Sequence, residues 1–172
     1  MYVRKEAVLS SQIEGTQASL GDVLEVEAEL FDPNRPDDTE EIINYVNALN
    51  YGLERLDTLP LSLRLIREIH GRLMRGVRGQ NATPGEFRRS QNWIGPQGAG
   101  LKDASFVPPP PHELNRLLGD FETYLHTEDQ MPLLIKLGLI HAHFETLHPF
   151  LDGNGWVGAR FLETVHIAIF PS

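Results

Sequence analysis

The sequence predicts a predominantly α-helical protein, and two observations carry that prediction. Apolar residues recur at spacings of three and four over most of the chain, the spacing that places them on one face of a helix. Only one long stretch, from Gly76 to Pro111, lacks this periodicity. At 172 residues the chain is long enough to bury a hydrophobic core without disulfides, and it contains no cysteine. We therefore expect a helical domain with one irregular insertion.

Five helices are predicted in chain order: residues 20–30, 39–56, the segment between Pro60 and Gly76, residues 112–126 and residues 132–147. Ser19 can cap the first helix, and the FDPNRP turn ends it. Asp38 and Glu41 resemble a capping box at the start of the second. Pro132 suits the first turn of the last helix, because a first-turn residue needs no N–H donor.

The irregular stretch contains two β-competent pieces, QNWI and ASFV, on either side of the glycine-rich GPQGAG. This arrangement predicts a small β-hairpin. A loop of this length inside a compact helical domain is usually a functional lid or a disordered insert. Arg88 and Arg89 lie just before the QNWI piece, and their pattern leaves open whether they contact phosphate or form solvated ion pairs.

Composition limits the classes of partner. The formal net charge of −9 argues against a sequence-independent grip on nucleic acid, which depends on basic surface. The N-terminus lacks the apolar core of a signal peptide, and no run approaches the roughly 18 to 20 apolar residues of a membrane-spanning helix. We expect a soluble, cytoplasmic protein with no membrane or nucleic-acid partner for this segment.

The segment HPFLDGNG, residues 148–155, follows the last predicted helix and precedes a new helical start. Its glycines let the backbone approach an anion closely, and Asn154 adds a side-chain donor. Asp152 would repel a phosphate unless Mg²⁺ bridged the two charges. His148 can accept a proton near neutral pH. Each feature alone is a common turn or cap, but together they predict a phosphate-binding site with a metal ion and a general base.

Two histidine alternatives are less favoured. His141 and His143 are two residues apart on a predicted helix, so they face different directions and make poor joint metal ligands. His70, next to Ile69, is interpreted as a residue at the edge of the core. The common nucleotide-binding glycine motifs do not occur in the sequence.

Residues 148–155 resemble the signature of the Fic (filamentation induced by cAMP) family, H-P-F-x-[DE]-G-N-G-R-x-x-R. Similar likenesses extend to IHAHFETL before it, to FRRSQNWIG with FVPPPP, and to SSQIEGTQAS near the N-terminus. The resemblance implies an all-α Fic-type helical domain with a small β-hairpin flap. It also implies transfer of AMP from ATP to a Ser, Thr or Tyr hydroxyl of a target protein. Members of the family often form homodimers, so a dimer is one state that the resemblance implies.

The resemblance assigns a role to each residue of the site. His148 would deprotonate the target hydroxyl, and Asp152 would hold Mg²⁺ on the ATP phosphates. Gly153, Asn154 and Gly155 would form the anion cradle, with Arg160 as the nearby arginine. Phe150 would be a buried anchor.

Near the N-terminus, Ser10-x-x-x-Glu14-Gly15 matches the inhibitory motif [ST]-x-x-x-E-[GN] of the family. The resemblance implies that Glu14 pairs with a signature arginine and keeps the γ-phosphate from its productive position. In isolation, the same pattern is more often an ordinary helix cap. We expect residues 1–30 to form an inhibitory helical segment and residues 31–172 to form a Fic domain that is truncated at its C-terminus.

The sequence departs from the signature where two arginines are expected. Trp156 and Ala159 occupy those positions, and Arg160 lies one residue late, which is about 100° around a helix. Trp156 is interpreted as a packing residue or, alternatively, as a residue that stacks on a base. The departure supports a rival hypothesis, a catalytically impaired Fic-fold module that binds protein partners or has a regulatory role.

Overall fold

The computed structural model describes residues 39–76, 82–96, 98 and 100–158, together with Ser19, Gly21 and Leu24. Its helices are α1 (Thr39–Leu56), α2 (Leu63–Leu73), α3 (Pro111–Leu125) and α4 (Leu133–Leu147), with a short 3₁₀ turn at Leu101–Asp103 between α2 and α3. Residues 154–158 are also helical. Of the predicted helix 20–30, only Gly21 and Leu24 are described, and both are helical. The rest of that helix, the FDPNRP turn and Asp38 lie outside the described residues.

The helical prediction is confirmed, with helix ends that shift by a few residues. At the start of α2, the Ser62 hydroxyl accepts a hydrogen bond from the N–H of Leu65. The segment after α2 reaches Gly76, whose φ of 70° only glycine adopts without strain. Pro132 lies one position before α4, at its N-cap, instead of in the first turn.

The core forms where α1 packs against α2 and α3 packs against α4. Leu65, Leu118 and Phe121 are at most 1% exposed. Burying an apolar side chain of this size stabilises the fold by about 1.5–3 kcal/mol. Phe150 and Val157, on either side of the GNG segment, belong to the same core. The signature segment is therefore part of the folded core and not a surface appendage.

Over the residues of this segment that the structure describes, the predicted hairpin is present only in reduced form. Ile94 and Phe106 make one antiparallel bridge, in which each N–H donates to the other residue's carbonyl at 2.9 and 3.1 Å. Pairing cannot continue past this point because prolines 108–111 have no N–H to donate. We call residues 93–107 the flap. Over the described residues, no helix is both long and apolar enough to cross a membrane.

A cluster of side chains between α1 and α2 centres on Glu68. Its carboxylate accepts hydrogen bonds from Tyr51 Oη at 2.6 Å, Arg55 Nε at 3.1 Å and Arg64 Nε at 2.8 Å. The Tyr51 hydrogen bond, helped by the two arginines, lowers the pKa of Glu68 to about 2, although partial burial opposes the shift. The cluster joins α1 to α2 beside the core.

This pKa makes a prediction about acid stability. Because the folded pKa of about 2 lies below the ordinary 4.5, the stabilisation is complete above pH 4.5 and is lost as the pH falls toward 2. Glu68→Gln should lower the Tm by about 3–6 °C at pH 7, and this difference should shrink across that window. Thermal melts at a series of pH values measure it. Tyr51→Phe removes the largest cause of the lowered Glu68 pKa, so it should narrow the pH range over which stability is lost. A Tm difference between native protein and Glu68→Gln that does not change with pH would contradict the lowered pKa of Glu68.

Candidate active site

The loop between α4 and the helical stretch 154–158 begins at His148, which has φ 44° and ψ 62°. This left-handed conformation is uncommon for a residue with a side chain, and surrounding contacts must hold it. The N–H of His148 donates to the Phe144 carbonyl at 3.0 Å and so ends α4. The conformation turns the chain sharply just where the imidazole emerges from the helix.

Phe150 anchors the loop in the core, as the sequence resemblance implied. It is fully buried, and its ring stacks on His70 at 3.8 Å with an interplanar angle of 2°. Phe87 adds a tilted contact at 5.2 Å between ring centroids. The loop is therefore held between α2 and the residues that lead into the flap.

The loop's backbone carbonyls are bonded by residues distant in sequence. Arg88 is 3% exposed; its Nε donates to the His148 carbonyl at 2.9 Å, and its terminal nitrogens donate to Leu147, Ser90 and Pro109. Its own N–H donates to the Pro149 carbonyl at 2.9 Å. The sequence left open a phosphate contact or a solvated ion pair for this residue. The structure shows neither, because the guanidinium is enclosed by backbone carbonyls.

Two asparagine side chains complete the hydrogen bonding. Asn92 Nδ2 donates to the carbonyls of His148 and Phe150 at 3.2 and 2.8 Å. Asn154 accepts from the Phe150 N–H and donates to its carbonyl, both at 2.9 Å. The Asn154 side chain, expected to donate to a phosphate, therefore closes the loop instead. Any contact of this residue with an anion falls to its backbone N–H.

His70 connects the loop to α2. Its Nδ1 accepts the Gly85 N–H at 2.7 Å, so the proton of the neutral ring lies on Nε2, which is 3.1 Å from the Asp152 carbonyl. Burial lowers the pKa of His70, against the hydrogen bond to Asp152 and the charge of that residue. The sequence placed His70 at the edge of the core. That placement was wrong, because the side chain is 1% exposed and both ring nitrogens are bonded.

The imidazole of His148 is half-buried beside groups of both charges. Burial and then the positive charge of Arg88 lower its pKa, while the Glu145 carbonyl and the negative charge of Asp152 raise it; the net shift is downward. The ring is therefore neutral at pH 7 and able to accept a proton. Among the described residues Nδ1 has no hydrogen-bond partner, and the nearest carboxylate oxygen, Glu145 Oε2, is 3.9 Å away.

The GNG segment forms the start of the next helix. Asp152 is exposed, and its Oδ1 accepts the Gly153 N–H at 2.7 Å, which leaves Oδ2 available. The first helical bond runs from the Val157 N–H to the Gly153 carbonyl at 3.1 Å. The N–H groups of residues 154–156 precede that bond, and such groups at a helix start are free to bind an anion.

Trp156 is packed inward. Its indole meets Tyr45 of α1 edge-on, with 5.5 Å between ring centroids, and lies against the core. Of the two interpretations made from the sequence, the structure supports packing.

His141 and His143 contact different residues. His143 meets the Phe121 ring edge-on, whereas the His141 ring lies beside Gly158. No group of three metal-ligating side chains occurs in the part of the chain that the structure describes.

The structure thus brings His148, Asp152 and residues 153–155 together in one loop. The other predicted site residues lie outside the described residues: Ser10, Glu14, Gly15, Ala159 and Arg160. Sequence reasoning did not find the contribution of Asn92, whose side chain donates to two carbonyls of the loop. Polar residues in an irregular segment carry no signal that distinguishes a buried hydrogen-bond donor from a solvated side chain.

Replacing Gly153 is predicted to destabilise the fold for two separable reasons. Its φ is 73°, and a Cβ at this position would lie 2.6 Å from Met74 Sδ. Gly153→Ala should destabilise the protein by about 1–3 kcal/mol, because the left-handed backbone and the collision both oppose a side chain. Urea unfolding measures the change. The double variant Gly153→Ala/Met74→Ala should lose less unfolding free energy than the sum of the losses in the two single variants. Met74→Ala removes the collision but leaves the backbone strain.

Gly119→Ala is the matched control for this prediction. Gly119 lies within α3 with nothing near the added Cβ, so alanine should raise stability by up to about 1 kcal/mol. Equal effects of the Gly153 and Gly119 substitutions would contradict the assignment.

Comparison with known proteins agrees with this geometry. The Fic/DOC family matches residues 60–165, and its N-terminal family matches residues 1–54. Proteins named protein adenylyltransferase Fic from Drosophila grimshawi and Drosophila persimilis are 31% and 30% identical over 132 residues. Those alignments cover 75% of this chain but only 25% and 24% of the relatives, so the chain spans about a quarter of their length.

Two solved structures share the fold. A Fic family protein from Desulfovibrio desulfuricans G20 is 24% identical with a TM-score of 0.74, over 98% of this chain and 48% of that one. A Fic domain containing signaling protein from Bacteroides thetaiotaomicron VPI-5482 is 18% identical with a TM-score of 0.82, over 98% of this chain and 63% of that one. The matched family segments, the helical fold and the HPFLDGNG loop lead to one conclusion: this chain belongs to the Fic/DOC family.

Proposed function

We propose that this chain is the catalytic core of a protein adenylyltransferase that transfers AMP from ATP to a hydroxyl of a target protein. One observation carries the proposal: an imidazole, a carboxylate and the helix-start N–H groups of residues 154–156 lie in a single loop that is fixed by buried contacts. Among the described residues, those N–H groups have no hydrogen-bond partner. Phosphoryl and nucleotidyl transfers need positioning and charge stabilisation more than covalent participation by the protein. Relatives named protein adenylyltransferase support the same reaction class.

In the proposed reaction, His148 acts as general base. The target hydroxyl oxygen attacks the α-phosphorus of ATP, the bond from that phosphorus to the bridging oxygen breaks, and pyrophosphate leaves. The hydroxyl proton passes to His148. The lowered pKa of the imidazole supports this role, because a ring that is neutral at pH 7 can accept the proton. Nε2 is the nitrogen assigned to the hydroxyl, since Nδ1 is enclosed near Glu145.

Asp152 is proposed to hold Mg²⁺ on the ATP phosphates. One exposed carboxylate with an uncommitted oxygen fits this ion, which usually binds through one or two carboxylates, nucleotide phosphates and water. When bound, Mg²⁺ would neutralise charge on the phosphates. The N–H groups of Asn154, Gly155 and Trp156 would bind phosphate oxygens, and Gly153 allows the close approach.

The flap is proposed to hold the target segment. Ile94 and Phe106 are each 40% exposed, and Trp93 and Val107 beside them are also exposed. An extended segment can add to such an edge through backbone hydrogen bonds, which orients a Ser, Thr or Tyr hydroxyl without requiring one sequence. A cytoplasmic location and a homodimer belong to the same proposal, on the basis of the family resemblance and of a cysteine-free composition.

Regulation is proposed to come from the N-terminal motif. Glu14, with Ser10 and Gly15 around it, would compete with the γ-phosphate for Arg160, the arginine nearest to the signature positions. A second candidate function, a catalytically impaired protein-binding module, is favoured by Trp156. Its indole is packed on Tyr45 at a position where the family signature has arginine.

Transfer of label from α-labelled ATP with Mg²⁺, to the protein itself or to lysate proteins, tests the proposal. Glu14→Gly should raise labelling about tenfold or more, and adding His148→Ala should lower it about 10²-fold or more. Chelation of Mg²⁺ should abolish it. His112→Ala, which removes an imidazole whose side chain is 78% exposed on α3, is the matched control and should not change the rate.

The pattern of failure separates the two candidate functions. Labelling that persists without His148 would contradict its role as base. If no variant labels any protein until Trp156→Arg restores one of the two missing signature arginines, the impaired module is the better account.

A further inference from the structure

Arg88 is a buried cation that has no acidic partner in the part of the chain that the structure describes. It is 3% exposed, and among the described residues no carboxylate lies within salt-bridge distance of it. Four backbone carbonyls surround its guanidinium instead. Buried charges in proteins are usually paired with an opposite charge, because desolvation is costly. An arrangement that retains the full positive charge therefore calls for a reason beyond packing.

The bonded carbonyls belong to two functional parts of the protein. Leu147 and His148 form the turn from which the proposed base emerges, whereas Ser90 and Pro109 lie just before and just after the flap. One rigid, planar guanidinium thus fixes the base and the flap relative to each other. Arginine is suited to bonding four carbonyls at once, because it is the side chain that offers five N–H donors in a fixed, planar fork.

The charge of Arg88 also acts on the His148 ring. Three groups affect that ring from the elements around it: Arg88 before the flap, Glu145 on α4 and Asp152 in the loop. Burial is the largest cause that lowers the pKa of His148, and the charge of Arg88 is the second. The Glu145 carbonyl and the charge of Asp152 raise the pKa and so oppose them. A carboxylate beside Arg88 would cancel this effect, which gives a physical reason for a cage made of carbonyls alone.

We propose that Arg88 is a positioning residue for the base. Its guanidinium fixes the turn that aims the His148 imidazole, and its unneutralised charge keeps that imidazole unprotonated at neutral pH. The inference rests on the proposed function for its catalytic meaning. Its physical content, the state of the His148 ring, does not depend on whether the chain transfers AMP.

The first test is the titration of His148, followed by NMR of the full chain with labelled histidine and assigned with His148→Ala. In the native protein the midpoint should lie below the ordinary 6.5. Arg88→Gln keeps donor groups but removes the charge, so the midpoint should rise toward or above the ordinary 6.5. Arg88→Lys keeps the charge and should stay closer to native. Arg116→Gln removes an exposed charge on α3, 65% exposed, and should leave the midpoint in place.

The second test is the pH profile of AMP transfer in the Glu14→Gly chain. Arg88→Gln should shift the acid limb of kcat to higher pH, so that the loss at pH 6.5 is about tenfold and is partly recovered at pH 8.5. Arg88→Lys should lower kcat about tenfold at all pH values, because a point-like ammonium cannot bond all four carbonyls. The KM for ATP should change less than twofold in both variants. A purely structural arginine would not move the pH limb.

The outcomes separate this inference from the proposed function. If Arg88→Gln raises the midpoint of the His148 titration but no variant transfers AMP, the result would support the role of Arg88 and contradict the proposed adenylyltransferase. A folded Arg88→Gln protein with an unchanged midpoint and pH limb would overturn the role of Arg88 and leave the enzyme intact. If neither Arg88 variant folds, the native titration decides: a His148 midpoint at or above 6.5 would overturn the inference.

Discussion

The structure depends on one constraint: a buried, irregular loop must have its backbone carbonyls hydrogen-bonded. Between Leu147 and Asp152 the chain is neither helix nor strand, so no regular ladder serves it. Donors come from elsewhere, namely Arg88, Asn92, His70 and Asn154. A buried carbonyl left without a donor costs about 1–3 kcal/mol, so these residues determine the loop's shape.

Satisfying this constraint also frees the chemical groups of the loop. Other residues donate the hydrogen bonds that the loop carbonyls accept. The loop is therefore held without the His148 imidazole, one oxygen of Asp152 and the N–H groups of residues 154–156. The flap is tied to the same loop through the Asn92 side-chain amide. Prolines 108–111 end strand pairing on one side, and within the described part of the flap Ile94 and Phe106 make one bridge.

The sequence predicted the helices well, because apolar periodicity and caps act locally. It also located the loop, since a Gly-Asn-Gly turn after a histidine and an acid is a compact local pattern. The roles of His70 and Arg88 could not be predicted, because each depends on partners 60 to 82 positions away in sequence. Asn154 shows the same limit: its type indicated a polar contact, but only the fold shows that Phe150 is the partner.

Native-state hydrogen exchange tests the central claim that the loop is preformed by buried hydrogen bonds without any ligand. The most informative amides are those of Arg88, which donates to Pro149, and Phe150, which donates to Asn154. If the account is right, both amides exchange only through global unfolding and match the slowest amides of α2 and α3. If they exchange as fast as exposed flap amides, the loop opens locally, and a fixed base held by the scaffold is contradicted.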